Sequence, residues 1–232
     1  MSVTLYSGKS AAFGSETSAI HKTAISLPQY CSPLGLTEDE VADPRFHGGS
    51  DRALHYYPAE HYPFWEQMWQ SLALTPSPTP FRGGAFGENL SETGWTERNV
   101  CIGDRFRIGE VLLEVSEPRC PCHKINTRFD YSQLAMLVQL TGRSGWFFRV
   151  ITPGEIRPGD HLQRVHQDER GLSVARCMEI LYGQQRQPEQ LQRLADHPKL
   201  TQVWQNHAIK WLENEQVADW SRRLFGHPAT SQ

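Results

Sequence analysis

Between residues 104 and 116 apolar side chains recur at every second position. Phe106 and Ile108 alternate with Arg105 and Arg107, and Val111, Leu113 and Val115 are separated by single residues. Period two marks a half-buried strand. The spacing predicts strands over 104–108 and 111–116, joined by Gly109-Glu110, a pair suited to a tight two-residue turn. Residues 18–26 read as another strand. Elsewhere up to about residue 165, Gly, Pro and short apolar segments give a texture of strands and turns. One helix interrupts it. Tyr62, Trp65, Met68, Trp69 and Leu72 share a face at helical spacing. Pro58 can open that helix without losing a needed hydrogen bond. Prolines 76, 78 and 80 close it. A second short helix is predicted over 131–139.

After residue 167 the pattern becomes helical. Ser173 is placed to cap a helix bearing Val174, Cys177, Met178 and Leu181, with Gly183 as its stop. Pro188 opens a second helix with Leu191 and Leu194. Leu200, Val203, Trp204 and Trp211 mark a third, and 217–224 extends it or forms another. Residues 168–226 therefore read as a small helical bundle. About sixty residues hold too little core to stand alone, so the bundle is expected to pack on residues 1–167. Residues 227–232 read as a frayed tail.

Composition narrows the class. The chain has 232 residues, 38% of them hydrophobic and 21% charged, with a mean hydropathy of −0.54. Seven Trp, seven Tyr and ten Phe supply a globular core and argue against a disordered chain. A formal charge of −3 disfavours nucleic acid as a bulk partner. No apolar run approaches the ~20 residues of a membrane helix. Residues 1–6 lack a basic head followed by an apolar stretch, so the reading is a cytoplasmic protein without a membrane partner. Five cysteines, an odd number, argue against a disulfide framework and leave thiols at 31, 101, 120, 122 and 177.

Four segments can carry chemistry. In Phe46-His47-Gly48-Gly49-Ser50-Asp51-Arg52-Ala53-Leu54-His55, two glycines let main-chain N–H groups approach a ligand, and His47, Arg52 and His55 add donors. It is an anion-holding loop or a solvated polar turn. Gly83-Gly84-Ala85-Phe86-Gly87-Glu88-Asn89-Leu90 matches neither the phosphate loop nor the dinucleotide fingerprint. It reads as a loop turn, or as one that orients a ligand through Glu88 and Asn89. Glu117-Pro118-Arg119-Cys120-Pro121-Cys122-His123-Lys124-Ile125-Asn126 is the sharpest. It follows a strand directly, and Arg119, His123 and Lys124 surround Cys122 with groups that favour a thiolate. A Cys-Pro-Cys redox pair or a buried inert thiol are the other readings. Zinc would need Cys120, Cys122 and His123 with His47 or His55, but the Cys-x-x-Cys spacing and a second pair are missing. A Cys122–His47 hydrolase pair lacks an evident orienting residue. In Thr141-Gly142-Arg143-Ser144-Gly145-Trp146-Phe147-Phe148-Arg149-Val150, Arg143 and Arg149 face an anion, or Arg149 is only an exposed strand residue.

Taken in order, His47-Gly-Gly-Ser-Asp-Arg-Ala-Leu, Gly87-Glu-Asn-Leu, Ile102-Gly-Asp-Arg-Phe-Arg-Ile-Gly109 and Pro118-Arg-Cys-Pro-Cys-His-Lys resemble the MOSC domain. That is the C-terminal domain type of molybdenum-cofactor sulfurases. Tyr6-Ser-Gly-Lys9 fits too. The tail from Gly171-Leu-Ser-Val to Trp220-Ser-Arg-Arg-Leu-Phe-Gly226 resembles the three-helix extension of the stand-alone bacterial YiiM type. The resemblance implies a mostly β barrel, pyruvate-kinase-barrel-like, with a small all-α three-helix domain. It implies the molybdenum cofactor (molybdopterin), with Cys122 rather than Cys120 as the metal's protein ligand. Lys9, Gly48, Gly49, Arg52, Asn89, Arg119, Lys124 and Arg149 would hold the rest of the cofactor, and His47 and His123 would supply protons. The implied activity is reduction of N-hydroxylated compounds, such as N-hydroxylated purine bases, in detoxification. The alternative is a carrier of cofactor or sulfur that uses Cys122 and reduces nothing. This chain shows no pattern for NAD, flavin or an iron–sulfur cluster. Electrons are therefore expected from a separate donor protein, a flavoprotein reductase, to a monomer or homodimer.

Overall fold

The computed structural model describes residues 3–183, 187–214 and 219–226. Strands β1 (Thr4–Ser7), β2 (Ala11–Phe13), β3 (Glu16–Ser18), β4 (Thr23–Ala24), β5 (Gln29–Ser32) and β6 (Gly35–Leu36) come first. They are followed by α1 (Pro44–His47), a 3-10 turn at Ser50–Arg52, β7 (Leu54–Tyr56), α2 (His61–Ser71), β8 (Leu90–Ser91), β9 (Arg105–Ile108) and β10 (Val111–Pro118). Helices α3 (Lys124–Phe129) and α4 (Leu134–Thr141) lead to β11 (Trp146–Thr152), β12 (Gly154–Ile156) and β13 (Gln163–His166). The C-terminal helices are α5 (Val174–Tyr182), α6 (Pro188–Ala195), α7 (Gln202–Asn214) and α8 (Ser221–Phe225).

Eight strands make one curled half-barrel sheet in the order β13-β9-β10-β11-β7-β8-β1-β4. The curl brings the Val3 N–H, just before β1, to the Asp160 carbonyl just before β13, at 3.1 Å. The expected hairpin is β9–β10, with Val111 opposite Ile108. Its turn needs glycine. Gly109 has φ +54°, and a Cβ there would lie 2.6 Å from the Glu155 carbonyl oxygen. The predicted strand over 18–26 is broken: Ser18 ends β3, and only Thr23–Ala24 pairs with β1.

Helix α2 begins at His61 rather than Pro58. Pro58 accepts from the His61 N–H in the turn that leads into it. Tyr62, Trp65 and Trp69 are buried as the spacing predicts, but the helix stops at Ser71 and leaves Leu72 49% exposed. Helix α4 starts three residues later than expected, because 131–133 form a turn. Helix α3 was not predicted. In the C-terminal part, Ser173 Oγ accepts from the Arg176 N–H at 3.1 Å and Pro188 sits in the first turn of α6. Trp204 is buried, whereas Val203 is 48% exposed. Residues 217 and 218 lie outside the described residues, as do 227–232. Helix α8 is separate from α7.

The core has two parts. One runs unbroken from Phe106, Val115 and Trp146 in the sheet to Val174, Cys177, Leu191 and Trp204 in the C-terminal helices. Those helices therefore share the barrel's core. The second joins α2, Phe81 and Phe86 to Ile125, Phe129, Leu134 and Leu224. It is aromatic: Phe86 stacks on Tyr57 at 4.4 Å between centroids, and Phe81 on Phe129 at 4.7 Å. The loop between β10 and α3 bridges them, since Cys120 packs on the first cluster and Ile125 belongs to the second. No helix among the described residues is long and apolar enough to cross a membrane.

Candidate functional site

The β10–α3 loop is anchored where it leaves the sheet. Pro118 pairs with Trp146 on β11, and the Arg119 N–H donates to the Gly145 carbonyl at 3.1 Å. Gly145 has φ +70°, and a Cβ there would sit 2.1 Å from the Tyr56 carbonyl oxygen. Only glycine lets β7 and the loop approach this closely. The loop then delivers Cys122 to a cleft of about 130 Å³. The end of α1 brings His47 to the same cleft, the 3-10 turn after it brings Arg52, β7 brings His55, and α3 brings Lys124. Asn89 and Arg119 also line it.

Positive charge gathers here. Arg119 is 7% exposed. One guanidinium nitrogen donates to the Phe86 carbonyl at 3.3 Å, while Nη1 is buried with no hydrogen-bond partner among the described residues. Leaving a charged donor dry and unpaired is unfavourable by itself. Lys124 Nζ is partly engaged, donating to the Thr17 carbonyl at 2.9 Å and lying 3.5 Å from Glu16. His47 reports the field. Desolvation by the surrounding protein first, then the charges of Lys124, Arg119 and Arg52, hold its imidazole down to about 4, with Asp43 opposing, although part of the residue stays open to solvent. Its ring is therefore neutral at pH 7. His55 is fully enclosed. Burial and then Arg119 hold it well below its ordinary value, and its Nε2 meets the Ser144 carbonyl at 3.3 Å.

Other residues singled out from the sequence serve elsewhere. Arg149 Nε donates to Asp51 at 2.7 Å and its Nη1 to Glu114 and the Lys199 carbonyl at 3.0 Å, away from the cleft lining. Lys9 pairs with Glu38 and Glu40 at 3.5 Å and is well exposed. Gly48 and Gly49 follow His47 but do not line the cleft. His123 turns away from it: Nε2 meets Glu16 at 3.2 Å, and the ring packs beside Gly226. Asn89 lines the cleft but is used by the fold, since its Oδ1 accepts from the His55 N–H at 3.0 Å and its Nδ2 donates to Asp39 at 2.8 Å. Cys120 faces Tyr182, thiol to hydroxyl at 3.2 Å, and burial pushes that thiol up. Cys31, Cys101 and Cys177 are buried and unpaired with one another.

The zinc set weighed from the sequence is not assembled. Among the described residues no three His, Cys, Asp or Glu side chains converge as metal ligands. A larger hollow of about 420 Å³ lies at α6, lined by Arg170, Glu189, Arg193, Asp196 and His197. It holds no thiol, and Arg170 and Asp196 are already bonded to Asp168 and Gln192. Cys122 and the unpaired Arg119 nitrogen lie in the smaller cleft instead.

Two cleft residues had no signal in the sequence. Lys22 forms a buried ion pair with Asp39, and burial lowers its ammonium. Neither belongs to a motif. Phe147 lies in the fourth segment and lines the cleft beside His55, at 5.2 Å between ring centroids, but period two alone does not say which face of a strand meets a cleft.

Residues 43–163 match the family described as MOSC domain, and residues 172–215 that described as YiiM-like, 3-alpha helix domain. Protein YiiM of Escherichia coli is 39% identical over 225 residues, 97% of this chain and 98% of that one. Its crystal structure has a TM-score of 0.80 at 35% identity, covering 97% of this chain and 98% of that chain. A protein of Gibberella moniliformis named Reductase is 41% identical over 175 residues, 75% of this chain but 30% of that one.

Proposed function

The chain belongs to the MOSC-domain family, in its YiiM-like form with the three-helix extension, and on that premise we propose that it reduces N-hydroxylated compounds with a molybdenum cofactor held in the Cys122 cleft. The observation that carries this reading is the company Cys122 keeps. A thiol lines the same cleft as a buried guanidinium nitrogen with no partner, three further cations (Lys22, Arg52 and Lys124) and a histidine whose proton Lys124, Arg119 and Arg52 repel. Such a donor set suits a metal that accepts a thiolate ligand and carries an anionic, phosphate-bearing group.

Cys122 Sγ would be the metal's protein ligand, and Arg119 Nη1 and Lys124 Nζ would meet the anionic part. When bound, the cofactor supplies the two-electron removal of oxygen from nitrogen. The chain's own work is orientation and proton handling. His47 is uncharged at neutral pH, so it can donate a neutral N–H or relay a proton from solvent, but it is no imidazolium acid. His55 and Phe147 stand side by side in one wall of the cleft, 5.2 Å apart between ring centroids. The 232 residues carry no dinucleotide, flavin or cluster motif, so electrons come from a separate donor protein. The relative named Reductase is more than three times as long as the stretch it shares with this chain, which supports an additional unit for reduction. The same reading divides the chain into a barrel over 1–167 and a helical extension over 168–226.

Anaerobic turnover tests the activity. Cofactor-loaded protein with a chemical reductant is expected to convert 6-N-hydroxylaminopurine to adenine, with Cys122→Ser inactive. The carrier reading uses the same thiol and the same cleft. A loaded wild type that turns over no N-hydroxylated substrate, yet passes its cofactor to an apo-enzyme, would establish the carrier.

A further inference from the structure

We propose that the last helix sets the position of the Cys122 thiol, with Arg223 as the positioning residue. The inference rests on Cys122 being the functional group of the cleft.

The contacts come from one place. The Arg223 guanidinium donates to the Pro121 carbonyl through Nη1 and to Gln139 Oε1 through Nη2, the latter at 2.6 Å. The Arg223 carbonyl accepts from the His123 N–H at 2.7 Å. The residues on both sides of Cys122 are thus tied to one residue of α8. A planar guanidinium suits this, since its fork can satisfy two acceptors in a fixed geometry. The next residue adds a third tie, the Leu224 carbonyl accepting from Asn126 Nδ2 at 2.7 Å. Asn126 Oδ1 in turn accepts from the Ala135 N–H at 2.7 Å, so α3, α4 and α8 are locked together.

The far side of the loop is held by the same assembly. Cys120 meets the Tyr182 hydroxyl on α5. Trp220, at the head of α8, packs edge-on to Tyr182 at 4.7 Å, and the Arg223 guanidinium lies 5.7 Å from that ring's centre. The C-terminal helices therefore do more than cover the barrel. They clamp Cys120, Pro121 and His123 and leave Cys122 facing the cleft. Beyond the Arg119 N–H bond to the Gly145 carbonyl the loop has no tie to the sheet ladder among the described residues, so it has few other means of fixing its sulfur.

The test uses the full chain made in a host without the pterin cofactor, so it does not depend on loaded activity. Alkylation of Cys122 at one fixed pH, read by fragment mass spectrometry, is followed beside hydrogen exchange at the His123 amide. Arg223→Met is expected to speed exchange at His123 by roughly tenfold and to raise the Cys122 labelling rate severalfold. Arg223→Lys keeps the charge and stem but loses the fork, and should recover only part of the protection. Arg222→Met, on the exposed side of α8, should match the wild type. Should Arg223→Met fail to fold, Arg223→Lys carries the test, with intermediate rates at an unchanged melting temperature. Folded Arg223 variants with wild-type rates at both sites would overturn the proposal. Altered rates in a protein whose Cys122→Ser form still binds metal would instead sink the ligand assignment and leave the positioning intact.

Discussion

Glu117 holds the Arg52 guanidinium at 2.5 Å in a nearly dry pair, with the Thr201 hydroxyl donating to the other carboxylate oxygen. Glu117 is the next-to-last residue of β10, the strand that launches the thiol loop, and Arg52 ends the 3-10 turn that follows the His47 helix. The pair therefore sets the two halves of the cleft against each other and ties both to the start of α7. Removing one partner strands the other in a low-dielectric interior. Arg52→Met is expected to lose about 3–5 kcal/mol of unfolding free energy. Arg52→Met with Glu117→Gln should lose clearly less, and urea denaturation of both reads the difference.

Arg119 gives the opposite sign. Its buried Nη1 has no partner among the described residues, so apo protein gains little from that charge. Arg119→Met is predicted to raise apo stability by roughly 1 kcal/mol, a few degrees in melting temperature, while lowering cofactor content. A fall in apo stability would show that the guanidinium is needed by the fold instead.

The field around His47 makes a pH prediction. Its folded-state value is about 4, against about 6.5 in the unfolded chain. Between those values the unfolded chain binds more protons, so stability rises with pH. The His47 contribution is complete above about 6.5 and is lost as the pH falls toward 4. His47→Gln should flatten this part of the profile. Because burial also lowers His21, His197 and His207, the informative quantity is wild type minus variant at pH 5 and pH 7.

Gly145→Ala tests the loop anchor. The added methyl would overlap the Tyr56 carbonyl in a left-handed backbone. A loss of about 3 kcal/mol or more is expected, or failure to fold. Gly142→Ala serves as control: it shares a positive φ but has open space around it, and should lose about 1 kcal/mol.

What could be read from the chain was local. The hairpin at Gly109, the Ser173 cap and the Pro188 start each rest on a signal within a few residues, and each is present. Helix α3 escaped because it is six residues long and leans on distant partners, with Asn126 bonded to Ser132 and Leu224. The strand over 18–26 failed because Lys22 turns inward to Asp39 instead of continuing a ladder. At the site, the neighbours of Cys122 in sequence were informative for Arg119 and Lys124, which line the cleft, and misleading for His123, which does not. Arg149 alternates correctly with its apolar neighbours, yet the acids that claim it, Asp51 and Glu114, come from other strands and turns. The grip of Arg223 on Pro121, 102 residues away, has no sequence signature.

The proposed activity requires Cys122 as a metal ligand. Elemental mass spectrometry of protein from a cofactor-competent host, wild type beside Cys122→Ser, measures this directly. The account predicts close to one molybdenum per wild-type chain and almost none in the variant, with both folded to the same melting temperature in the apo form. Equal molybdenum in the two proteins, or none in a wild type reconstituted with excess cofactor, would contradict it.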